Sequence, residues 1–393
     1  MRAGLVFLLL GYVLSQFYRA CLAVLAPFLA TDIGATAADL ARASGLWFLI
    51  FAAMQIPVGW ALDKLGPRRT AAWLLGLGAG GGAALFAVAP APWALDLAMA
   101  LIGIGCSPVL MAGYFIFART YPAALFATLA GAMQGAGTLG NLAAALPLSL
   151  AAEAIGWRAS MAALAGVTLV AALGIGRFVA DPPRAESPTG GGSLLTLLAM
   201  PALWPIYAMM IVNYAPAAGL RGVWIGPYLG DVFGMDSAGI GTVGLAMGLA
   251  MVAGNFAYGP LDRLFGSRKW VVLGGNLLVA GCLLALWAAP GAGIWRVGVL
   301  LAAVGLLGAS FPMIMAHGRS FFPPHLAGRG VTLLNLFGIG SVGIAQMLSG
   351  PFHATLAADA ITPETPYAGL FLAYALFVLA GCAIYLFSRD RTD

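Results

Sequence analysis

The sequence predicts an all-α membrane protein, with twelve transmembrane helices arranged as two pseudo-symmetric six-helix bundles. Three observations carry this. Of 393 residues, 62% are hydrophobic and only 8% charged, with a mean hydropathy of +0.95, whereas soluble domains carry roughly 25% charged residues. Apolar stretches recur along the whole chain at the ~20-residue length that a spanning helix needs. Short motifs also repeat about 200 residues apart, the mark of a duplicated unit.

Hydropathy places the spans near 5–30, 43–62, 70–90, 93–118, 124–151, 159–180, 203–229, 238–261, 270–289, 295–318, 328–351 and 366–388. The 54 Gly and 23 Pro suit membrane helices whose backbones approach closely. The first stretch reads as a retained helix, because no small-residue cleavage site followed by polar chain comes after it. Fourteen of the 19 basic residues, from Arg2 and Lys64 to Arg389 and Arg391, fall on the side of the termini. Arg42, Arg158 and Arg296 fall on the other side, and Arg19 and Arg221 lie within spans. The positive-inside bias therefore predicts a multi-pass protein of the cell inner (plasma) membrane with both termini cytoplasmic. The net charge of +5 is scattered, which argues against a nucleic-acid partner. Cys21, Cys106, Cys282 and Cys382 stand far apart with no CxxC pair, so they read as packing residues. No metal and no cofactor are expected. The expected partners are membrane lipids and a small-molecule substrate, with a coupling proton or ion, and the chain is expected to act as a monomer.

A polar linker at 181–194 divides the chain into an N-terminal bundle, 1–180, and a C-terminal bundle, 195–393. The halves repeat. Pro27-Phe-Leu recurs as Pro227-Tyr-Leu, each followed by an Asp and then by Gly34 or Gly234. Arg119-Thr-Tyr-Pro122 recurs as Arg319-Ser-Phe-Phe-Pro323, and Asp63-Lys-Leu-Gly-Pro-Arg-Arg69 as Asp262-Arg-Leu-Phe-Gly-Ser-Arg-Lys269, with one residue inserted in the second copy. A duplicated six-span unit is a known transporter design.

At these residues the chain resembles the major facilitator superfamily. The signature between that family's second and third spans stands here as Gly59-Trp-Ala-Leu-Asp63-Lys-Leu-Gly66-Pro-Arg68-Arg69, and the resemblance covers the whole chain. It implies a transporter rather than an enzyme, with Asp63, Arg68 and Arg69 at a cytoplasmic gate and, by the repeat, Asp262 and Arg268 in the same part. Asp63 would face the positive N-terminal end of span 11, near Arg329, which stabilises a carboxylate by roughly 0.3–1 kcal/mol. The plainer alternative is a turn whose basic residues sit at anionic headgroups. The family's antiporter pattern in span 5 is half met. Gly131 and Gly140 have its spacing, but Ala144-Ala145 stand where Gly-Pro is expected, and this counts against an efflux pump.

Arg19 is 14 residues after Leu5 and 11 before Ala30, so at ~1.5 Å per residue it lies near mid-bilayer. Placing arginine there costs ~2.5–3.5 kcal/mol or more and marks a functional residue by default. Every carboxylate lies in a loop or at a span end, so a mid-membrane ion pair, its structural alternative, lacks a partner. Tyr12, Gln16 and Arg19 share one helix face. Arg221, in the repeat-related span 7, either faces inward or snorkels to the surface. Paired arginines in these spans resemble the arrangement in organophosphate:phosphate antiporters, where they hold the anion, and guanidinium forks suit carboxylate or phosphate.

Further polar or aromatic stripes are Trp47, Phe51 and Gln55, then Gln134, Thr138 and Asn141, then Asn335 and Gln346, each either helix-packing glue or a ligand contact. Asn213, Tyr214, Pro216 and Trp224 mark span 7 as interrupted, where transporters of this kind place substrate groups. His317 either carries a proton or makes a structural hydrogen bond. Met247 with Met251, and Met313 with His317, have a spacing that soft ligands for Cu(I) also show, an alternative to core packing. The candidate substrate-binding set is thus Arg19, Tyr12, Gln16, Gln134, Asn141, Asn213, Arg221, Trp224, His317 and Asn335. The expected function is uptake of a small organic anion, a carboxylate or phosphate with or without a ring. Efflux, copper import and a membrane enzyme or sensor follow in that order. An enzyme would need a nucleophile with its base, or a carboxylate–metal cluster, which His317, His325 and His353 do not supply without an intramembrane acid.

Overall fold

The structure, a computed structural model, describes residues 2–120, 123–182, 194–323 and 326–391. Pro122, His325 and residues 183–193 of the expected linker lie outside the described residues, as does the side chain of Arg329. The long helices of the first half are α1 (Arg2–Tyr18), α2 (Cys21–Ile33), α3 (Ala37–Ala53), α4 (Gln55–Lys64), α5 (Pro67–Ala87), α6 (Pro92–Phe117), α7 (Ala123–Ala143), α8 (Leu146–Ile155) and α9 (Trp157–Phe178). Those of the second half are α10 (Trp204–Gly219), α11 (Ile225–Phe233), α12 (Ser237–Phe265), α13 (Arg268–Ala288), α14 (Ile294–Arg319), α15 (Ala327–Ala358) and α16 (Glu364–Tyr385). No strand occurs among the described residues.

Eight single helices are long and apolar enough to cross a bilayer, and the bent pairs α1/α2, α3/α4 and α7/α8 bring the number to eleven. The twelfth span is α10 and α11, joined by a π turn over Leu220–Trp224. Three of these irregularities have a proline behind them. A proline gives no N–H to the carbonyl four residues back and crowds it. Pro57 and Pro147 thus end α3 at Ala53 and α7 at Ala143, each with a 42° bend. Pro227 stands four residues after Val223, within the π turn. The largest bend, 53° between α1 and α2, falls at Arg19-Ala20, where neither proline nor glycine is present.

The chain forms two compact units. The first comprises Met1–Ser187 with the short segments Gly222–Pro227 and Asp236–Thr242, and the second Pro188–Arg221, Tyr228–Met235 and Val243–Asp393. Inside the first unit Tyr18, Phe48, Leu75, Phe86 and Ile102 are buried. The core of the second gathers Ile206, Met210, Val272, Ile314, Leu334 and Val378. Exposed tryptophans sit near helix ends, among them Trp60, Trp73, Trp93, Trp270 and Trp295, where their amphipathic rings suit a membrane–water interface.

The sequence repeat has its counterpart in the backbone. Gly34 and Gly234 adopt φ +66° and +62°, and both close their helices with a left-handed turn in which the next N–H reaches back to a carbonyl six residues earlier. Ala35 donates to Leu29 and Met235 to Leu229, each at 3.2 Å. Gly66 and Gly266 likewise share positive φ. Each half also has an aspartate, just past its last helix, that caps the start of its third span. Asp181 accepts from the Arg68 N–H at 2.8 Å, and Asp390 from the Lys269 N–H at 3.0 Å and from Ser267 Oγ. A carboxylate there meets the positive end of the helix. Burial works against ionisation of Asp390, but the bonds from Ser267 and the Lys269 backbone outweigh it and hold its carboxyl below the usual carboxylate range.

Two outcomes follow from this duplication. Gly34→Ala and Gly234→Ala should each cost roughly 1–2 kcal/mol, and thermal melting should show equal losses for the two positions. Asp390 has a lowered folded-state pKa, so its contribution is present above the unfolded value of about 3.9 and disappears as pH falls through the folded value. Asp390→Asn should therefore melt below the wild type at pH 7, with the gap narrowing below about pH 4.

Candidate functional site

Arg19 occupies the break between α1 and α2, and its guanidinium carbon lies 5.0 Å from the Trp47 ring and 4.9 Å from the Phe51 ring. Trp47 and Phe51 stand one turn apart on α3, so the rings stack at 4.9 Å and 16° and offer the cation two π faces. Such contacts are worth ~2 kcal/mol or more when desolvated. Arg19 forms no ion pair among the described residues. Its Nε is buried without a hydrogen-bond acceptor, and so is Nε1 of the fully buried Trp47. Two orphan N–H donors thus lie in one cluster, where each costs ~1–3 kcal/mol unless something accepts from it.

One turn before Arg19, Gln16 Nε2 donates to the Tyr12 hydroxyl at 2.7 Å, and Tyr12 donates to Gln134 Oε1 at 2.9 Å. Gln134 also engages Tyr114. Tyr12, Gln16 and Gln134, singled out on two separate spans, are therefore brought together in the first unit. Gln55, the first residue of α4, turns back to α3 and donates to the Phe51 carbonyl at 3.2 Å. The sequence pointed to Trp47 and Phe51 only as a stripe, and Tyr114 carried no signal of its own.

The candidates of the second half fare differently. Asn213 is buried and donates to Asn276 Oδ1 at 2.9 Å and Ser310 Oγ at 2.8 Å, while Asn276 donates to Ser310 Oγ at 3.1 Å. This network ties α10, α13 and the start of the last segment of α14 together. Arg221, only 6% exposed, does not snorkel to the surface; it lies in the π turn, as Trp224 does, and Trp224 is also buried. His317 is fully buried. Its Nε2 donates to the Arg389 carbonyl at 2.9 Å, which leaves Nδ1 of the neutral ring to accept from the Tyr385 hydroxyl at 2.6 Å. No nitrogen remains for a copper ion or a substrate, so His317 fastens the segment after α16. The Met247 and Met251 side chains pack on Gly305. Asn335 and Asn141 are half-buried on α15 and α7.

The gate candidates are engaged within their own halves. Arg119, stacked 4.0 Å from the Phe115 ring, lies 3.4 Å from Asp63, and Arg268 lies 3.4 Å from Asp262. Asp181, which the sequence left in a linker, meets the Arg68 side chain at 3.8 Å. Asp63, Arg68, Arg119 and Asp181, with the exposed Arg69, border a cavity of about 300 Å³.

Over residues 8–338 the chain matches the Major Facilitator Superfamily. It is 25% identical over 189 residues to the mouse (Mus musculus) MFS-type transporter SLC18B1, a stretch covering 48% of this chain and only 40% of that protein's length. The fold aligns with a bacterial homologue of the human lysosomal transporter Spinster, solved inward-facing and unoccupied, at TM-score 0.77 and 17% identity over 97% of this chain and 95% of that one. It aligns with a D-xylose–proton symporter at TM-score 0.76 and 14% identity, over 98% and 97%. Identities this low speak for the fold alone; the family match spans most of the sequence. The chain belongs to the Major Facilitator Superfamily and is a multi-pass membrane protein.

Proposed function

We propose that this transporter carries a small organic anion, a carboxylate or a phosphate, bound through Arg19. The observation that carries this reading is the pair of buried N–H donors, Arg19 Nε and Trp47 Nε1, that lack an acceptor among the described residues, beside a cation with no carboxylate partner among them. An anion supplies both what the charge lacks and what the donors lack. Because Trp47 and Phe51 already hold the guanidinium, they serve the cation rather than a ring on the substrate. Arg221, the other arginine within a span, lies in the π turn of span 7. Transport runs inward across the cell inner membrane, coupled to a proton or ion or to an exchanged anion, in a monomer whose termini are cytoplasmic. The bias of basic residues and Ala144-Ala145 in span 5 support these last points.

The test is binding in detergent across a panel of carboxylates and phosphates. Arg19→Ala should weaken the best ligand at least tenfold, matching the ~1.5–3 kcal/mol of a hydrogen bond to a charged group. Arg19→Lys should fall between the two, since it keeps the charge and loses the fork. Unchanged affinity in a correctly folded Arg19→Ala would make Arg19 structural. Asp63→Asn, at the gate, should slow proteoliposome uptake while leaving affinity within about twofold, because it acts on the conformational step; parallel loss of binding and turnover would place Asp63 at the substrate instead.

A further inference from the structure

We propose that the coupling ion is a proton and that the second unit binds it on His353, beside the carboxylate of Asp231. The inference rests on the reading of this chain as an inward anion carrier coupled to an ion, and it names the ion and the group that takes it.

The site comes from comparing the two halves. Each has an aspartate just before its left-handed glycine, held by an aromatic donor at the start of the half's last span. Asp32 Oδ2 accepts from Trp157 Nε1 at 2.8 Å, and Asp231 Oδ2 accepts from the Tyr367 hydroxyl. The second copy adds an imidazole. The half-buried His353 ring lies 4.7 Å from the Tyr367 ring at 53° and within electrostatic reach of Asp231, at the position that the exposed Glu153 holds 200 residues earlier. Asp231 from α11 and Tyr367 from α16 face the ring. Tyr228, 5.2 Å from the Tyr367 ring, comes next, with Arg296 and Glu364 acting on it.

Five other carboxylates are committed to cations: Asp39 and Asp96 to Arg42, Asp63 to Arg119, Asp181 to Arg68 and Asp262 to Arg268. A carboxylate beside a guanidinium stays ionised at neutral pH. Both nitrogens of His317 are engaged. At His353 a proton turns a neutral ring into a cation that faces a carboxylate, in the range where imidazole titrates. Tyr367 and Tyr385 stand near opposite ends of α16, ~27 Å apart in rise, so this group lies at the far end of the second unit from His317 and the Asp390 cap. Asp231 is exposed there. A proton taken up at that end and carried with the anion cancels a charge that otherwise moves against an inside-negative membrane potential.

Two measurements test this, with thermal melting as the folding control. In the first, the ¹³C-labelled histidine rings are titrated by NMR in detergent. His353 should gain its proton within roughly pH 5–8, and Asp231→Asn should lower its midpoint by about one pH unit, since the negative charge that favours the imidazolium is gone. A ring that stays neutral down to about pH 5, or ignores Asp231→Asn, overturns the proposal. The second uses proteoliposomes with the potential clamped at zero by valinomycin, protein-free liposomes as the blank, and gluconate, mandelate and methyl phosphate as probes. A gradient of about one pH unit, acid outside, should accumulate a transported probe about tenfold, the ratio of proton activities. His353→Gln should only equilibrate it, while exchange of labelled for unlabelled probe persists. Accumulation that survives in His353→Gln overturns the proposal, as do a wild type that accumulates no probe and a folded variant that loses exchange as well. If His353→Gln does not fold, the titration decides alone. Exchange that needs Arg19 but ignores the gradient removes this inference and leaves the anion reading; gradient-driven accumulation that needs His353 but not Arg19 does the reverse.

Discussion

Inside a hydrocarbon layer no water is at hand to take up a backbone N–H or C=O, so a chain that crosses it repeatedly has to satisfy those groups within its own helices. An interruption of a spanning helix therefore calls for a physical cause. Pro57 and Pro147 force two of them through a missing N–H, and Pro227 stands behind the π turn of span 7. The interruption at Arg19 has no such cause. At this break the Arg19 cation lies against the rings of Trp47 and Phe51. Arg19 and Arg221, the two basic residues that the sequence places within spans, each fall at one of these irregular points.

How a membrane helix tolerates a permanent charge then has a physical answer. Inserting arginine costs ~2.5–3.5 kcal/mol on translocation scales, and desolvated cation–π contacts return ~2 kcal/mol or more. The rings of Trp47 and Phe51 thus offset much of the cost without neutralising the charge, as a carboxylate would, and without occupying the N–H groups. His317 shows the opposite arrangement. Both its nitrogens are engaged, by Tyr385 and by the Arg389 carbonyl, so a buried titratable ring in a polar stripe becomes a fastening.

What periodicity and spacing encode was legible in the sequence: the spans, the repeated motifs, and the pairing of Tyr12 with Gln16. The local charge pattern of the Asp63 loop was legible too. What was not legible lies between helices. Arg19 meets Trp47 from a different span, Asp181 reaches Arg68 across 113 positions, and Asp390 reaches Lys269 across 121. Asn213 and His317 looked like ligand groups because a polar residue in an apolar helix has the same appearance whether it meets a substrate or another helix; their partners, Asn276 and Tyr385, are 63 and 68 positions away. For Arg221, its distance from the span end allowed a surface position. The π turn that carries it, and its burial, are properties of the folded chain.

The single residue inserted in the second copy of the Asp63 loop has a consequence of its own. Counted back from the left-handed glycines that anchor both loops, Asp63 stands three places before Gly66 and Asp262 four places before Gly266. One residue of helix is about 100° of rotation and 1.5 Å of rise, so the same carboxylate is swung to another compass bearing in the second copy. Asp63 meets Arg119, just beyond a neighbouring span, and Asp262 meets Arg268, across its own loop. One inserted residue thus leaves the positive-φ glycines of the two loops at matching places while their carboxylates meet different partners.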